Sequence, residues 1–269
     1  CIEKLALISE VDFIADDATL TTLMDVARPV IGGNIANQYN LTGSGIGIAI
    51  IDTGVYPHPD LALGNNRIVA FKDFVKGLNF PYDDNGHGTH VAGVAAGNGH
   101  MSDGKYMGIA PQANIIAIKS MDKNGAGSTS DIVAGMDWIL KNKNKYNIRI
   151  VSLSIGSDPD LSESKDPLVK AVNRLWDEGI VVVAAAGNSG PKAETINSPG
   201  ISKKIITVGS LDDKGTINTR DDIIPSFSSR GPTKEGNLKP DIVAPGVDIL
   251  SLNSDKEFLP KQGIKRYKF

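Results

Sequence analysis

Residues 86–97 give the clearest indication of the fold, and they read Gly86-His87-Gly88-Thr89-His90-Val91-Ala92-Gly93-Val94-Ala95-Ala96-Gly97. After the histidines the side chains are small and apolar, so this run predicts a tightly packed, buried helix. A histidine in the first turn of such a helix lies at the edge of the core. A general base needs such a position, because it must be held rigidly and still reach a substrate. Taken alone, the stretch fits equally well with a histidine that only caps the helix.

Two other apolar stretches end in polar side chains that can cooperate with His87. Residues 46–51 predict one buried strand, and Asp52 follows it directly. Residues 180–188 predict a second buried strand, which ends in the amide of Asn188. In α/β proteins, sites gather at the carboxyl ends of parallel strands. An aspartate can orient a histidine, the histidine can take a proton, and an asparagine can donate a hydrogen bond to a developing oxyanion.

These stretches carry a family resemblance. Segments 50–54, 86–93 and 184–188 resemble, in that order, three of the four signature blocks of the subtilisin-like serine proteases. The resemblance covers nearly the whole chain from about Gly43 onward. It implies cleavage of peptide bonds by an Asp-His-Ser mechanism without a required cofactor. In that mechanism Asp52 orients His87, His87 is the general base and then the general acid, and Asn188 is the oxyanion donor.

The rest of the chain alternates strand-like and helix-like segments. This alternation predicts a parallel sheet covered on both faces, with right-handed crossovers. Together with the resemblance, it gives a three-layer, doubly wound, mainly parallel α/β fold of the subtilisin-like type. The segments concerned are strands at 114–119, 149–153 and 204–209, a helix capped by Ser128, and a helix that starts at Asp166-Pro167 and ends at Gly179.

The resemblance also implies a substrate groove. Gly125, Ala126 and Gly127 would form one edge, and Ser154, Ile155 and Gly156 the second edge and part of a specificity pocket, with Ala186 and Gly187 beside them. The partner would be an extended polypeptide substrate. Backbone groups at such an edge pair with the backbone of the substrate, which requires small side chains. A flexible glycine-rich loop is the alternative interpretation of residues 125–127.

The family's fourth block, a Gly-Thr-Ser segment that carries the nucleophile, does not occur in the 269 residues. We therefore expect a C-terminally incomplete fragment of a protease, inactive by itself. The expected organisation is a propeptide tail and linker at 1–22 and a peptidase domain at 23–269 that lacks its C-terminal part. A propeptide or a protein inhibitor is a further expected partner. The alternative is a non-catalytic, protease-like protein that binds peptides or regulates a partner.

The amino-acid composition limits the other classes of protein to which the chain could belong. The net charge is −3 with no basic block, which argues against nucleic acid as a partner. With 41% hydrophobic and 22% charged residues and only strand-sized apolar runs, the chain reads as a soluble globular protein without a membrane span. A single cysteine, Cys1, excludes an intramolecular disulfide framework. The compartment, secreted or cytoplasmic, stays open.

Metal binding is the last alternative. Asp60, in a predicted turn, could help to hold a structural calcium ion, and a solvated turn aspartate is the competing interpretation. His87 and His90 could instead suggest a metal-dependent hydrolase. Zinc helices, however, space their two histidines four residues apart with a glutamate next to the first, and here Thr89 lies between the pair. His90 lies one helical turn past His87, in a run that must pack, so we interpret it as structural.

Overall fold

The computed structural model describes residues 24–159 and 162–258. Among these residues, seven strands form one sheet in which every neighbouring pair is parallel. The strands are β1 (Gly47–Asp52), β2 (Ile68–Asp73), β3 (Asn114–Lys119), β4 (Ile148–Leu153), β5 (Val181–Ala185), β6 (Ile206–Leu211) and β7 (Ile242–Pro245). Their order across the sheet is β2-β3-β1-β4-β5-β6-β7.

Helices connect the strands, as the alternating pattern predicts. They are α1 (Met24–Val30), α2 (Gly33–Gln38), α3 (Pro59–Ala62), α4 (His87–Ala96), α5 (Thr129–Asn142) and α6 (Pro167–Asp177), with a 3₁₀ turn at His100–Ser102. The predicted caps are present: Ser128 accepts the N–H of Asp131 at the start of α5, and Asp166 accepts the N–H of Leu168 at the start of α6. No helix among the described residues is both long enough and apolar enough to cross a membrane.

The centre of the sheet, at β1 and β3, is buried on both faces. Helices lie on both sides of it, so the predicted three-layer fold is the observed one. In β1, Ala49 and Ile51 face a core that includes α5 and α6, whereas Ile48 and Ile50 face a second core that includes α4. Strands buried on both faces have continuous apolar sequences, and this property made them recognisable.

Two expectations of local structure were wrong in detail. The second apolar run forms a strand only to Ala185, so Asn188 lies in the loop beyond β5, and Val181 is 40% exposed. Asp60 is not a solvated turn residue: it lies in the one-turn helix α3 and is 2% exposed. Because a proline is compatible with the first position of a helix, Pro59 starts this turn and His58 caps it by accepting the N–H of Asp60. The predicted propeptide tail at 1–22 lies outside the described residues.

Candidate active site

The candidate site lies at the switch point of the sheet, where the order in which successive strands are added changes direction. From β1 the chain adds β2 and β3 on one side and β4 on the other, so β1 lies between β3 and β4. Crevices at the carboxyl ends of strands at such a switch point are the usual sites of open α/β sheets. Asp52 is the last residue of β1, and its side chain is fully buried.

Asp52 and His87 are in direct contact. The Nδ1 atom of His87 lies 2.7 Å from Oδ1 and 2.9 Å from Oδ2 of Asp52. Oδ1 also accepts the backbone N–H of Thr53 at 2.7 Å, which fixes the rotation of the carboxylate. Because the carboxylate accepts the proton of Nδ1, the neutral ring presents Nε2 as an acceptor. The imidazole is half exposed, so this acceptor is available for proton transfer.

A carboxylate that the sequence analysis overlooked fixes the position of His87. Asp83 is 1% exposed and lies in the loop before α4. Its Oδ1 accepts from the Thr53 hydroxyl and from the N–H groups of Asn85 and Gly86, and its Oδ2 accepts from the N–H and hydroxyl of Thr89. Asp83 thus ties the end of β1 to the first turn of α4. An aspartate just before a predicted helix was the signal available in the sequence.

Glycine permits this close approach of strand and helix. The N–H of Gly88 donates to the Thr53 hydroxyl at 2.9 Å. A Cβ atom on Gly88 would collide with the carbonyl oxygen of Gly54 and lie 3.1 Å from Cβ of Asp52. Any larger residue at position 88 would therefore separate His87 from Asp52.

A buried lysine supports the same region from the neighbouring strand. Lys119, at the end of β3, is fully buried, and its ammonium donates to the carbonyls of Thr53 and Met121 and to Oδ1 of Asp84 at 2.5–2.9 Å. It also lies 5.0 Å from the ring centre of Tyr82. All three ammonium protons thus have acceptors. Such a lysine positions the loop before α4 and does not act as a base.

Asn188 faces the same cleft as His87. The cleft encloses about 540 Å³ at the carboxyl ends of β4 to β7, and His87, Ser154, Gly187 and Asn188 all contribute to its lining. Asn188 is exposed. No described residue hydrogen-bonds its amide, so that amide is free to donate to a ligand. The structure therefore brings all three predicted catalytic side chains to one edge of the sheet.

The predicted groove residues differ in how free their backbone groups are. Ala126 both donates to the Asp122 carboxylate and accepts the Asp122 N–H, so it is used within a turn. Ala186 is 1% exposed, donates to the carbonyl of Val208 and accepts the N–H of Asn197. Gly125 donates to the Asp122 carbonyl. These contacts make Ala186 part of a wall rather than an edge that pairs with another backbone.

The second predicted edge continues from β4. Ser154 and Gly156 are accessible, whereas Ile155 is 7% exposed and packs into the core. Asn197, which the sequence analysis overlooked, fills the space between this edge and Gly187. A Cβ atom on Gly156 would lie 2.9 Å from Cβ of Asn197, and one on Gly187 would collide with Oδ1 of Asn197. Asn197 therefore requires glycine on both sides.

The remaining predicted residues lie in structural roles. The Nε2 atom of His90 lies 2.9 Å from the carbonyl oxygen of Ile249, as expected of a packing residue. The Oδ1 atom of Asp60 accepts the N–H of Met101 at 2.9 Å and lies 3.6 Å from Nδ1 of His58. Among the described residues, no group of three histidine, cysteine or carboxylate side chains is placed to hold a metal ion. A calcium ion at Asp60 stays a prediction.

The contact with Asp52 makes folding stability depend on pH. The hydrogen bond to Asp52 raises the pKa of His87 above the ordinary 6.5; burial opposes this effect, and the charges of Asp52 and Asp83 add to it. The folded state therefore binds the proton more tightly than the unfolded state. We expect this stabilisation to be complete below about pH 6.5 and to vanish as the pH rises through the folded-state pKa. Urea unfolding across pH 5–9 measures how the free energy of unfolding depends on pH, and an NMR titration of the His87 ring measures its pKa in the folded state. A His87 pKa at or below 6.5 would contradict the prediction.

Comparison with known proteins defines the class of this fold and site. Residues 43–268 match the model of the subtilase family, and the chain belongs to that family. It is 48% identical over 266 residues to serine protease AprX of Bacillus subtilis (strain 168), covering 97% of this chain and 58% of that protein. It is 32% identical over 265 residues to a thermostable alkaline protease of Halalkalibacterium halodurans, covering 97% of this chain and 65% of that protein. The chain thus spans less than two thirds of either relative.

A solved structure gives the same result for the fold. The structure of the S41 psychrophilic protease superimposes on this chain with a TM-score of 0.67 and 35% sequence identity. The match covers 80% of this chain and 70% of the chain of that protease. The subtilisin-like fold predicted from the three sequence blocks is therefore confirmed.

Proposed function

We propose that the chain carries the base, its orienting carboxylate and the oxyanion donor of a serine endopeptidase. The observation that supports this most directly is the contact between Nδ1 of His87 and the buried carboxylate of Asp52, at 2.7 Å. It leaves Nε2 as the proton acceptor in a cleft that also contains Asn188. The relative from Bacillus subtilis is named a serine protease and the one from Halalkalibacterium halodurans an alkaline protease, and both names support the same conclusion.

In the proposed reaction, Nε2 of His87 takes the proton of a serine hydroxyl as that oxygen attacks the scissile carbonyl. Asp52 stabilises the imidazolium that forms, and the amide of Asn188 donates to the oxyanion. His87 then returns the proton to the leaving amine, and water hydrolyses the acyl-enzyme by the same route. An extended polypeptide would pair with the backbone of Gly127, Ser154 and Gly156, while Ala186 and Gly187 border its side chain.

The nucleophile is not assigned within these 269 residues. None of their serines stands in a Gly-Thr-Ser segment. No hydroxyl among the described residues hydrogen-bonds to His87. We therefore propose that the serine comes from sequence outside them, and that the 269-residue chain by itself has no serine-dependent turnover.

The test compares the 269-residue chain with the full-length protein. Both are incubated with a fluorogenic peptide and with a serine-directed fluorophosphonate. We expect hydrolysis and labelling only in the full-length protein, both abolished by His87→Ala. Turnover by the 269-residue chain would contradict the assignment of the nucleophile. Absence of turnover from both forms, combined with peptide binding, would instead favour the non-catalytic alternative.

Replacing Asn188 by Ala in the full-length protein is expected to lower kcat by about 10²–10³-fold, with KM changing little. Loss of one preorganised oxyanion donor removes stabilisation that exists only in the transition state. Steady-state kinetics on a peptide substrate measure the two constants. Asn144→Ala, which removes an exposed amide in the loop after α5, is the matched control. An unchanged kcat in the Asn188 variant would remove this residue from the oxyanion role.

A further inference from the structure

The side chain of Asn85 forms hydrogen bonds at both of its ends, with two segments that have different parts in the proposed reaction. Asn85 lies in the loop before α4 and is half-buried. Its Oδ1 accepts the N–H of His87 at 3.1 Å, and its Nδ2 donates to the carbonyl of Lys123 at 3.0 Å. His87 is the proposed base, and Lys123 lies just before the predicted groove edge at 125–127. One amide therefore joins the base to the edge of the groove.

The bond to His87 satisfies a backbone group that the helix itself leaves without a partner. The first four N–H groups of an α-helix have no acceptor within the helix. In α4 the first of them is that of His87, and it donates to the amide oxygen of Asn85. The backbone of Asn85 is held as well, because its N–H donates to the buried carboxylate of Asp83 at 3.1 Å. The amide of Asn85 therefore has a fixed position relative to the base.

The turn at 122–126 is held together as one unit by Asp122. The N–H of Asp122 donates to the carbonyl of Ala126 at 2.8 Å, and the N–H of Ala126 donates to the Asp122 carboxylate at 3.0 Å. Gly127 follows this turn directly. Within the described part of the chain its backbone forms no hydrogen bond, so its N–H and carbonyl are available to a substrate. The carbonyl of Lys123 and the backbone of Gly127 thus belong to one connected piece of structure.

Asn85 provides the direct link between this turn and the loop that precedes α4. Among the described residues, its bond to Lys123 is the only hydrogen bond between segments 122–126 and 83–86. A Cβ atom on Gly125 would lie 3.8 Å from Nδ2 of Asn85, which is an ordinary contact distance. Lys119 joins Asp84 to the carbonyl of Met121, one residue before the turn. Loss of the Asn85 amide would therefore leave the turn without its own hydrogen bond to the base.

We propose that Asn85 is a positioning residue that sets the distance between the groove edge and His87. An extended substrate that pairs with Gly127 then has its scissile carbonyl in register with the base. The inference rests on the proposed function. Binding along a groove raises kcat only when the binding energy is used to place the reacting atoms, and a displacement of about 1 Å can cost about 10²-fold in rate. A short substrate that does not reach Gly127 gains nothing from this link.

The test compares two substrates of the full-length protein that share the residue before a fluorogenic leaving group. One has a tetrapeptide on its acyl side, and the other has a single acetylated residue. We expect the wild type to have the higher kcat on the tetrapeptide. Asn85→Ser removes the donor to Lys123 and keeps a hydroxyl that can accept the N–H of His87. It should lower kcat on the tetrapeptide by about 10–10²-fold with little change in KM, and it should hardly affect the short substrate.

Asn124→Ala is the matched control, because that exposed amide bonds only within the turn, to the Asp122 carboxylate at 3.4 Å. It should keep the wild-type ratio of the two kcat values. An Asn85→Ser variant with the wild-type ratio, or with an equal loss on both substrates, would overturn the inference, because Asn85 would then only cap α4. If Asn85→Ser does not fold, Asn85→Asp, which also lacks the donor, serves for the same ratio. A wild type inactive on both substrates would refute the proposed function and this inference with it, so the two failures are distinguishable.

Discussion

Replacing Asp52 by Asn is expected to lower kcat/KM of the full-length protein by about 10⁴-fold with little change in substrate binding. The local hydrogen bonds explain why. The N–H of Thr53 requires an acceptor at the Oδ1 position, so the new amide NH₂ takes the place of Oδ2, 2.9 Å from Nδ1 of His87. An NH₂ there donates to Nδ1 and moves the ring proton to Nε2. The ring then presents a donor where the serine needs an acceptor.

The same variant has a second readout that does not depend on the nucleophile. In the 269-residue chain, Asp52→Asn removes the main cause of the raised His87 pKa, so the NMR titration of His87 should move to lower pH. Asp137→Asn is the matched control, because its carboxylate is about half exposed and lies in a surface pair. A variant that keeps both the raised pKa and the activity would show that Asp52 does not orient His87.

The sequence predicted five of the seven strands, β1 and β3 to β6, and the three catalytic candidates, because each of them leaves a local pattern; β2 and β7 were not predicted. The buried strand β3 has the predicted bounds, Asn114–Lys119, since a strand covered on both faces must be apolar throughout. The helix at His87 follows from small residues that pack against the sheet. Asp52 and Asn188 stand next to apolar runs, so their placement at one edge follows once the sheet is parallel.

Buried polar residues could not be predicted in this way, because their partners come from distant parts of the chain. The sequence pattern indicates that Lys119 is the polar end of a strand, but the residue is fully buried and donates to three acceptors. One of them, the carbonyl of Thr53, is 66 residues away in the chain. The sequence around Asp60 predicts a surface turn, but the segment that contains Met101 packs over this residue and donates a backbone hydrogen bond to its carboxylate. Asn197 gives no local signal, although it determines which residues fit at Gly156 and Gly187. A polar residue stays buried when its hydrogen bonds are satisfied, and that is a tertiary property.

Replacing Asp83 by Ala is expected to lower stability by at least about 3 kcal/mol and Tm by roughly 6–12 °C. The carboxylate accepts five hydrogen bonds, from Thr53, Asn85, Gly86 and Thr89, and the side chain is 1% exposed. Without it, several donors lose their acceptor in a place that water does not reach. Urea unfolding and thermal melts of the 269-residue chain measure the loss, with Asp137→Asn as the surface control.

We expect Asp83→Ala to lower kcat by more than the loss of folded protein explains, because the same carboxylate joins the strand of Asp52 to the helix of His87. Removing the Asp83 charge also removes one of the causes of the raised His87 pKa, so the pKa should fall in the variant. If Asp83→Ala does not fold, Thr53→Val removes only the bridging hydroxyl that links Asp83 to the N–H of Gly88. It should lower kcat and the His87 pKa in the same direction, and Thr53→Ser should restore both. A Thr53→Val variant that is less stable but has unchanged kcat and His87 pKa would make this network a contributor to folding alone.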